Sequence, residues 1–428
     1  MTSDPFTNVS TEESVITSHL IRSFDDLTDR LDPCRPVITL FSGGLDSSYL
    51  LLRLRQMGFG NVHALSVDVG GTDTTHQNEH IAAQLGVRLH TRLRHDAFAR
   101  DFVTPAIKAH AVYLDTHPVS STLSRPLLAQ TAVQLADELA ASCILHTANR
   151  SQNTLRRLNG ALSLLAYSGS YGSPYDLHPV TREEKLSALA RAGVTFTEDR
   201  TISGDSNLWC REFESGALDD PEHHAVPEAI YRWSAMGPDV FSRRDDISLT
   251  FEEGVPVAVD GQRMDLVSLI GHLNPRVGTF GFGRYTGLEH LEHGEKVFEV
   301  REMPAAWLIL RTARHLDGAC LPAELLREKL AMEQLWAREA VEGRWFGPTK
   351  AAAEAFIDQC AVHVTGTVRW ALRAGGATTR AIIGETPLYI RDREQWECDA
   401  IDAEIHPFGA SGRFGGEAAN GRPDLMAA

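Results

Sequence analysis

Positive charge is scarce in this chain of 428 residues: 41 lysines and arginines stand against 57 aspartates and glutamates, a formal net charge of −16. A broad nucleic-acid surface needs clustered Lys and Arg against the phosphates, so no nucleic-acid partner is expected. Cysteine is sparse and scattered. Cys34, Cys143, Cys210, Cys320, Cys360 and Cys398 form no C-x-x-C pair, which argues against structural zinc and a disulfide framework and fits a reducing, cytoplasmic compartment. No apolar run is long enough to span a bilayer, and the first residues carry acids without an apolar core of signal-peptide length, so no membrane partner is expected. The 18 histidines are dispersed, and His223 and His224 read as exposed loop, so no protein metal site is expected. What remains, 43% hydrophobic and 23% charged residues over this length, is a soluble globular chain of two or three domains.

One further absence is informative. The stretch Leu40, Phe41, Ser42, Gly43, Gly44, Leu45, Asp46, Ser47, Ser48 carries glycines and hydroxyls but no basic residue. An apolar segment before it (36–41) reads as a buried strand, and the leucines after it read as a helix. Two glycines at a strand-to-helix turn let backbone N–H groups approach a ligand without a Cβ in the way. The first turn of the helix offers unpaired donors and partial positive charge, which suit an anion. A nucleoside-triphosphatase loop would carry G-x-x-x-x-G-K-[ST], and that lysine is missing. S-G-G-x-D-S resembles instead the loop of the ATP pyrophosphatase (PP-loop) enzymes, which cleave ATP between its α and β phosphates. The rival reading is an ordinary tight turn with Asp46 and Ser47 as local caps.

In residues 1–35, Ile16, Leu20, Ile21, Phe24, Leu27 and Leu31 fall at helical spacing and predict one amphipathic leader helix. Residues 36–200 then alternate. Strands are predicted at 61–69, 87–93 and 143–147, and helices at 77–85, 98–112 and 126–141. Such alternation means an α/β domain with a parallel sheet, whose ligands sit at the carboxyl ends of the strands. The polar segment 149–160 should share that edge with the glycine turn. Thr181 and Glu184 read as a capping box opening a helix to about 192. Residues 215–247 look like a linker or lid. From 246 the character becomes α+β. A strand pair (247–251, 255–259) precedes the turn at Asp260 and Gly261, then a helix at 266–273 and a glycine-rich loop-and-strand region (Gly278, Gly281, Gly283, Gly287, Gly294). Helices at 305–315, 322–341 and 350–362 and a hairpin (366–372, 378–383) follow. A second domain is thus expected over 201–395, and a Gly-rich tail over 396–428.

The order of segments is similar to one PP-loop family, the argininosuccinate synthases, over roughly 37–390. The likeness rests on several long motifs: 101–107 (DFVTPAI), 124–128 (SRPLL), 205–209 (DSNLW) with 216–221 (GALDDP), 253–257 (EGVPV), 281–284 (GFGR), 345–348 (WFGP) and 364–369 (VTGTVR). It implies an adenine nucleotide α-hydrolase-like ATP domain joined to a synthetase and oligomerisation domain. It also implies a two-step, Mg²⁺- and ATP-dependent C–N ligation in arginine biosynthesis. The ureido oxygen of citrulline attacks the α-phosphorus of ATP and releases pyrophosphate; the amine of aspartate then displaces AMP. Small-molecule amino-acid substrates and a homo-oligomer, tetramer or dimer, follow from the same resemblance.

Carried across by position, the resemblance assigns ATP to Phe41, Ser42, Gly43, Gly44, Leu45, Asp46, Ser47 and Ser48, with Ser66 and Asp68. It assigns the citrulline-like substrate to His117, Thr122, Arg125, Asn153, Arg157, Ser203, Glu212, Glu289 and Arg301, and the aspartate-like amine to Asn149, Asn153 and Thr154. The arginines would hold a carboxylate and Glu289 an ammonium. Several positions depart from the family: His117 and Arg301 stand for tyrosine, Glu212 for serine, Asn149 for threonine, and Thr154 for an acidic residue. Glu212 and Arg301 each add a charge to a pocket otherwise matched to a neutral ureido chain, so each needs a counter-charge from the other or from a ligand. Two alternatives stay open: a paralogue with a changed substrate in a specialised pathway, and a catalytically silent ATP-binding protein.

Overall fold

The computed structural model describes residues 19–71, 75–194 and 203–402. Eight strands belong to the first part of the chain: β1 (Leu20–Ile21), β2 (Val37–Leu40), β3 (Val62–Asp68), β4 (Arg88–Leu93), β5 (Val112–Tyr113), β6 (His117–Pro118), β7 (Cys143–Leu145) and β8 (Ser170–Gly172). Apart from the antiparallel ribbon β5–β6, they form one sheet in the order β1-β8-β7-β2-β3-β4, parallel at every pairing. This is the architecture that the alternation predicts.

The central strand β2 is buried throughout because helices cover both faces of the sheet. On one face pack Leu50, Leu51 and Leu54 of α2 (Leu45–Gln56) and Ile81 of α3 (Thr75–Gln84). On the other pack Ala132 and Leu135 of α4 (Ser121–Leu139) and Leu158, Ala161 and Leu162 of α5 (Thr154–Leu164). Helix α6 (Arg182–Arg191) closes this part, opened by the expected reciprocal bonds between Thr181 and Glu184.

Two expectations fail here. The leader is not one helix: Leu20 and Ile21 pair with Tyr171 and Gly172 as an edge strand, and α1 (Phe24–Arg30) begins only at the capping box of Ser23 and Asp26. Gly172 (φ +140°) permits the approach, since a Cβ there would lie 2.2 Å from the Ile21 carbonyl oxygen. Ile16 lies outside the described residues. The helix predicted at 98–112 instead runs from His95 to Lys108 through a π-helical turn at Ala99–Val103. His110 then reverses the chain at φ +40°, and Val112 enters the ribbon.

The remaining strands are β9 (Ser203–Ser206), β10 (Arg211–Glu214), β11 (Arg244–Glu252), β12 (Val255–Val259), β13 (Gln262–Arg263), β14 (Arg284–His290), β15 (Lys296–Glu302), β16 (Gly366–Arg373) and β17 (Gly376–Gly384). They form two antiparallel sheets, β14-β15-β10-β9 and β13-β12-β11-β16-β17. Packed with them are α7 (Leu266–Gly278), α8 (Pro304–Cys320), α9 (Ala323–Val341) and α10 (Pro348–Ala361). The segment before β11 holds two 3₁₀ turns and is anchored rather than free: Leu218 and Tyr231 pack on Phe298 and Val300, and Ser234 donates to Glu302. The largest core spans both parts of the chain, with Phe102 stacked on Trp345 at 5.1 Å between ring centroids. Beside it, bonds from Ser121 to Glu212 and from Arg157 to Glu289 tie β10 and β14 to the first turns of α4 and α5.

Candidate functional site

At the carboxyl end of β2 the chain makes the glycine turn. Gly43 adopts φ +71°, and a Cβ on it would lie 1.9 Å from Asn78 Oδ1, so the position admits only glycine without rearrangement. Gly44 is the N-cap of α2 and has no side chain to cap the helix. Ser42 Oγ accepts from the Gly44 N–H at 3.4 Å, but the hydroxyls within the helix do not act as caps. Ser47 and Ser48 donate back to the Gly44 carbonyl at 3.1 and 2.8 Å, and Ser42 Oγ lies 3.4 Å from Ser47 Oγ. The first turn of α2 therefore has no side-chain cap, the arrangement that an anion-binding helix terminus requires.

On the neighbouring strand, Ser66 accepts from Asn78 Nδ2 at 3.1 Å, and Asp68 accepts from the Gly70 N–H at 2.9 Å and meets His95 at 2.7 Å. Ser66 and Asp68 therefore stand at the strand end beside the loop. Sequence reasoning missed one partner of the loop: Lys185 of α6 places Nζ 2.7 Å from Asp46 Oδ1.

A second group assembles where α4 and α5 meet the sheet β14-β15-β10-β9. Arg157 donates to the Val341 carbonyl at 3.0 Å and to Glu289 Oε1 at 2.5 Å. Asn153, the N-cap residue of α5, donates to the His290 carbonyl at 2.8 Å. Arg125 reaches Thr154 Oγ1 at 3.2 Å and Asp205 at 2.6 Å. His117 is buried on the ribbon, its Nδ1 3.1 Å from Thr116 Oγ1, and Thr122 is buried in the first turn of α4. Asn149 lies in the preceding loop, where its Oδ1 accepts from Ser151 N and Oγ at 3.0 and 2.6 Å. Ser203 is not brought in: it sits exposed at the start of edge strand β9, opposite Glu214.

Glu212 and Arg301 supply each other's counter-charge. Arg301 Nε donates to Glu212 at 3.0 Å, its second nitrogen donates to Glu299, and it lies 3.9 Å from Glu289. Glu212 also accepts from Ser120 and Ser121. The unforeseen member is Glu299. The alternation of β15 puts it on the same face as Arg301, two residues on, and that period was the available signal. Three buried carboxylates thus face two guanidinium groups. Burial, then the charge of Glu289, pushes Glu212 up to about 8, and burial with Glu212 raises Glu299 well above the usual range. Burial opposes ionisation of Glu289 too, but Arg157 more than offsets it and holds that carboxyl low. Burial presses Arg301 down to about 9, still charged at neutrality. Of the three carboxylates, Glu212 and Glu299 are thus the ones driven toward the protonated form.

Both parts of the chain match known families. A family described as the arginosuccinate synthase N-terminal HUP domain covers residues 36–194, and one described as the arginosuccinate synthase C-terminal domain covers 202–406. An argininosuccinate synthase of Rubrobacter xylanophilus is 33% identical over 361 residues, 84% of this chain and 88% of the relative. That of Symbiobacterium thermophilum is 34% identical over 79% of this chain and 86% of its own length. One from a Synechococcus species is 31% identical over 88% and 96%. Among solved structures, a protein described as a predicted subunit of tRNA methyltransferase from Methanocaldococcus jannaschii overlaps 40% of this chain and 82% of its own, with 19% identity and a TM-score of 0.28, too slight to bear on function.

Proposed function

The chain belongs to the argininosuccinate synthase family, and from that premise we propose how its own residues perform the ligation. The enzyme is an ATP-dependent C–N ligase that yields AMP and pyrophosphate, adenylating a ureido oxygen of the citrulline kind and joining it to the amine of aspartate or an analogue. A ureido carbon is a poor electrophile. Transfer of AMP to its oxygen installs a leaving group, so no covalent enzyme nucleophile is needed.

The observation that carries the assignment of the nucleotide site is the turn at Gly43 and Gly44, with its uncapped α2 terminus. Residues Phe41 to Ser48, with Ser66 and Asp68 beside them, hold the polyphosphate of ATP, and Mg²⁺ enters on the nucleotide. Negative charge grows on phosphate oxygens as the α-phosphorus is attacked, and preorganised amides and hydroxyls stabilise it there. Arg157, Arg125 and Asn153 stand where an amino-acid carboxylate would be received, with Glu289 for the ammonium. His117, Thr122, Glu212 and Arg301 complete the wall around them. Asn149, Asn153 and Thr154 face the incoming amine.

The changed-substrate and silent-protein readings are not favoured. The family match spans nearly the whole chain, and the charges of Glu212 and Arg301 are met within the protein, so they demand no charged ligand. We place the enzyme in the cytoplasm as a homo-oligomer, tetramer or dimer, working on free amino acids. Among the described residues no helix is long and apolar enough to cross a membrane. The test is incubation with ATP, Mg²⁺, citrulline and aspartate, measuring AMP and pyrophosphate. Formation of ADP overturns the mechanism.

A further inference from the structure

No basic residue lies between Leu40 and Ser48, yet the loop has an ammonium beside it. Lys185 comes from α6, 139 positions downstream of Asp46, and its Nζ lies 2.7 Å from Asp46 Oδ1. The lysine is held on several sides. Its side chain is 11% exposed, its Nζ lies 4.9 Å from the Tyr175 ring centroid, and the Tyr175 hydroxyl donates to the Asp46 carbonyl at 3.0 Å. Helix α6 packs on α2 and is itself pinned by the Thr181–Glu184 box. The partner is different: the Asp46 side chain is 42% exposed and belongs to the first turn of α2.

That asymmetry matters. A carboxylate in the first turn favours the helix, but it is a like charge beside the very amides that would receive a polyphosphate. An isolated surface pair would do little. Here, however, the cation is mostly buried, cannot follow solvent, and bridges the loop to another helix.

Resting on the reading of this loop as the ATP site, we propose that Lys185 is a positioning residue for the nucleotide. It cancels the charge of Asp46 and pins the first turn of α2, so that the turn presents a net positive edge to the phosphates. The cation that a lysine-bearing loop carries in its own sequence is supplied here across space, and it acts through Asp46 rather than on the phosphate.

Binding of Mg-ATP to the full chain by calorimetry, alongside kcat for pyrophosphate release, tests this with K185M, K185R, D46N and the double variant. K185M should weaken Mg-ATP binding by about fivefold while kcat stays within about twofold. K185R should keep the wild-type affinity. D46N keeps the backbone N–H that this position lends to the phosphates and removes only the carboxylate, so it should bind at least as tightly as wild type. D46N/K185M should return close to it, because no uncompensated carboxylate then remains. A double variant as weak as K185M overturns the proposal, since the lysine would then touch phosphate directly or serve packing alone. Weakened binding in D46N overturns it too, and this single variant decides the matter even if K185M folds poorly. Should the wild-type chain itself fail to bind Mg-ATP, it is the reading of the loop that falls.

Discussion

Glu212 and Arg301 stand directly opposite each other on the antiparallel strands β10 and β15, and their side chains meet at 3.0 Å with both residues at least nine-tenths buried. At these two positions the chain presents a buried ion pair. Such a pair is weak evidence for stability, because desolvation consumes most of the attraction; breaking it from one side is another matter.

Arg301→Met should therefore destabilise the protein by about 3–5 kcal/mol, since it leaves Glu212, Glu289 and Glu299 facing Arg157 alone. Adding Glu212→Gln to that variant should recover part of the loss. Urea unfolding of the wild type, the two single variants and the double variant measures the coupling. If the losses of the two single variants simply add in the double variant, the two residues are not energetically joined.

The same cluster sets a pH dependence. Glu212 is raised in the folded state, from an ordinary 4.5 to about 8, by burial and by Glu289. The folded state then holds a proton that the unfolded chain has released, so this group's stabilisation is complete below about pH 4.5 and is lost as pH rises through about 8. Asp176 works the other way: burial opposes its charge, but Arg22 and Arg150 hold it low, so its contribution is lost only in acid. The melting temperature should peak in mild acid and decline toward pH 8. Glu212→Gln should flatten that decline, and an unchanged profile in this variant would show that the proton resides elsewhere.

How far the sequence led can be read from individual positions. The glycine turn between strand and helix was legible because its signals are local: an apolar strand, two glycines, hydroxyls and an apolar helix in one short run. The parallel sheet was legible from the alternation of periods. Pairings across the chain were not. Nothing near Asp46 announces Lys185, and nothing near Glu289 announces Arg157, since tertiary packing alone brings them together. Glu299 could have been found from the two-residue period of β15. The leader was misread because Leu20 and Ile21 fit a helical stripe as well as a strand, and the decision came from Gly172, far along the chain. Ser203 was carried over by motif position alone, and its exposure at a strand start shows the limit of that step.

Removal of metal should stop catalysis without loosening the fold. Among the described residues the grouping able to hold a cation is Asp220, Glu222 and His223, all exposed, while Asp46 and Asp68 are engaged by Lys185 and His95. The proposed function brings Mg²⁺ in on the phosphates of ATP, as is usual for this ion. Chelation with EDTA should abolish AMP formation, restored by added Mg²⁺, yet leave the melting temperature of the ligand-free protein unmoved. A drop in that temperature would reveal a resident structural metal.

Gly43→Ala is the sharpest test of the nucleotide site, because it adds one methyl group and no charge. The residue sits at φ +71°, where a Cβ costs about 1–2 kcal/mol in the backbone alone. The methyl would also meet Asn78 Oδ1 at 1.9 Å, and Asn78 donates to Ser66 at 3.1 Å on the neighbouring strand. Relief of the clash must move either the loop or that asparagine, and both border the place assigned to the phosphates. Hydrophobic packing of β2 and α2 is untouched, since Leu50, Leu51 and Leu54 face the other way into the core. Pyrophosphate release should accordingly fall by about a hundredfold, as for loss of preorganised donors, while the unfolding midpoint in urea shifts only modestly. Equal losses of activity and stability would mean that the turn is merely structural, and full activity would remove the nucleotide from this corner altogether.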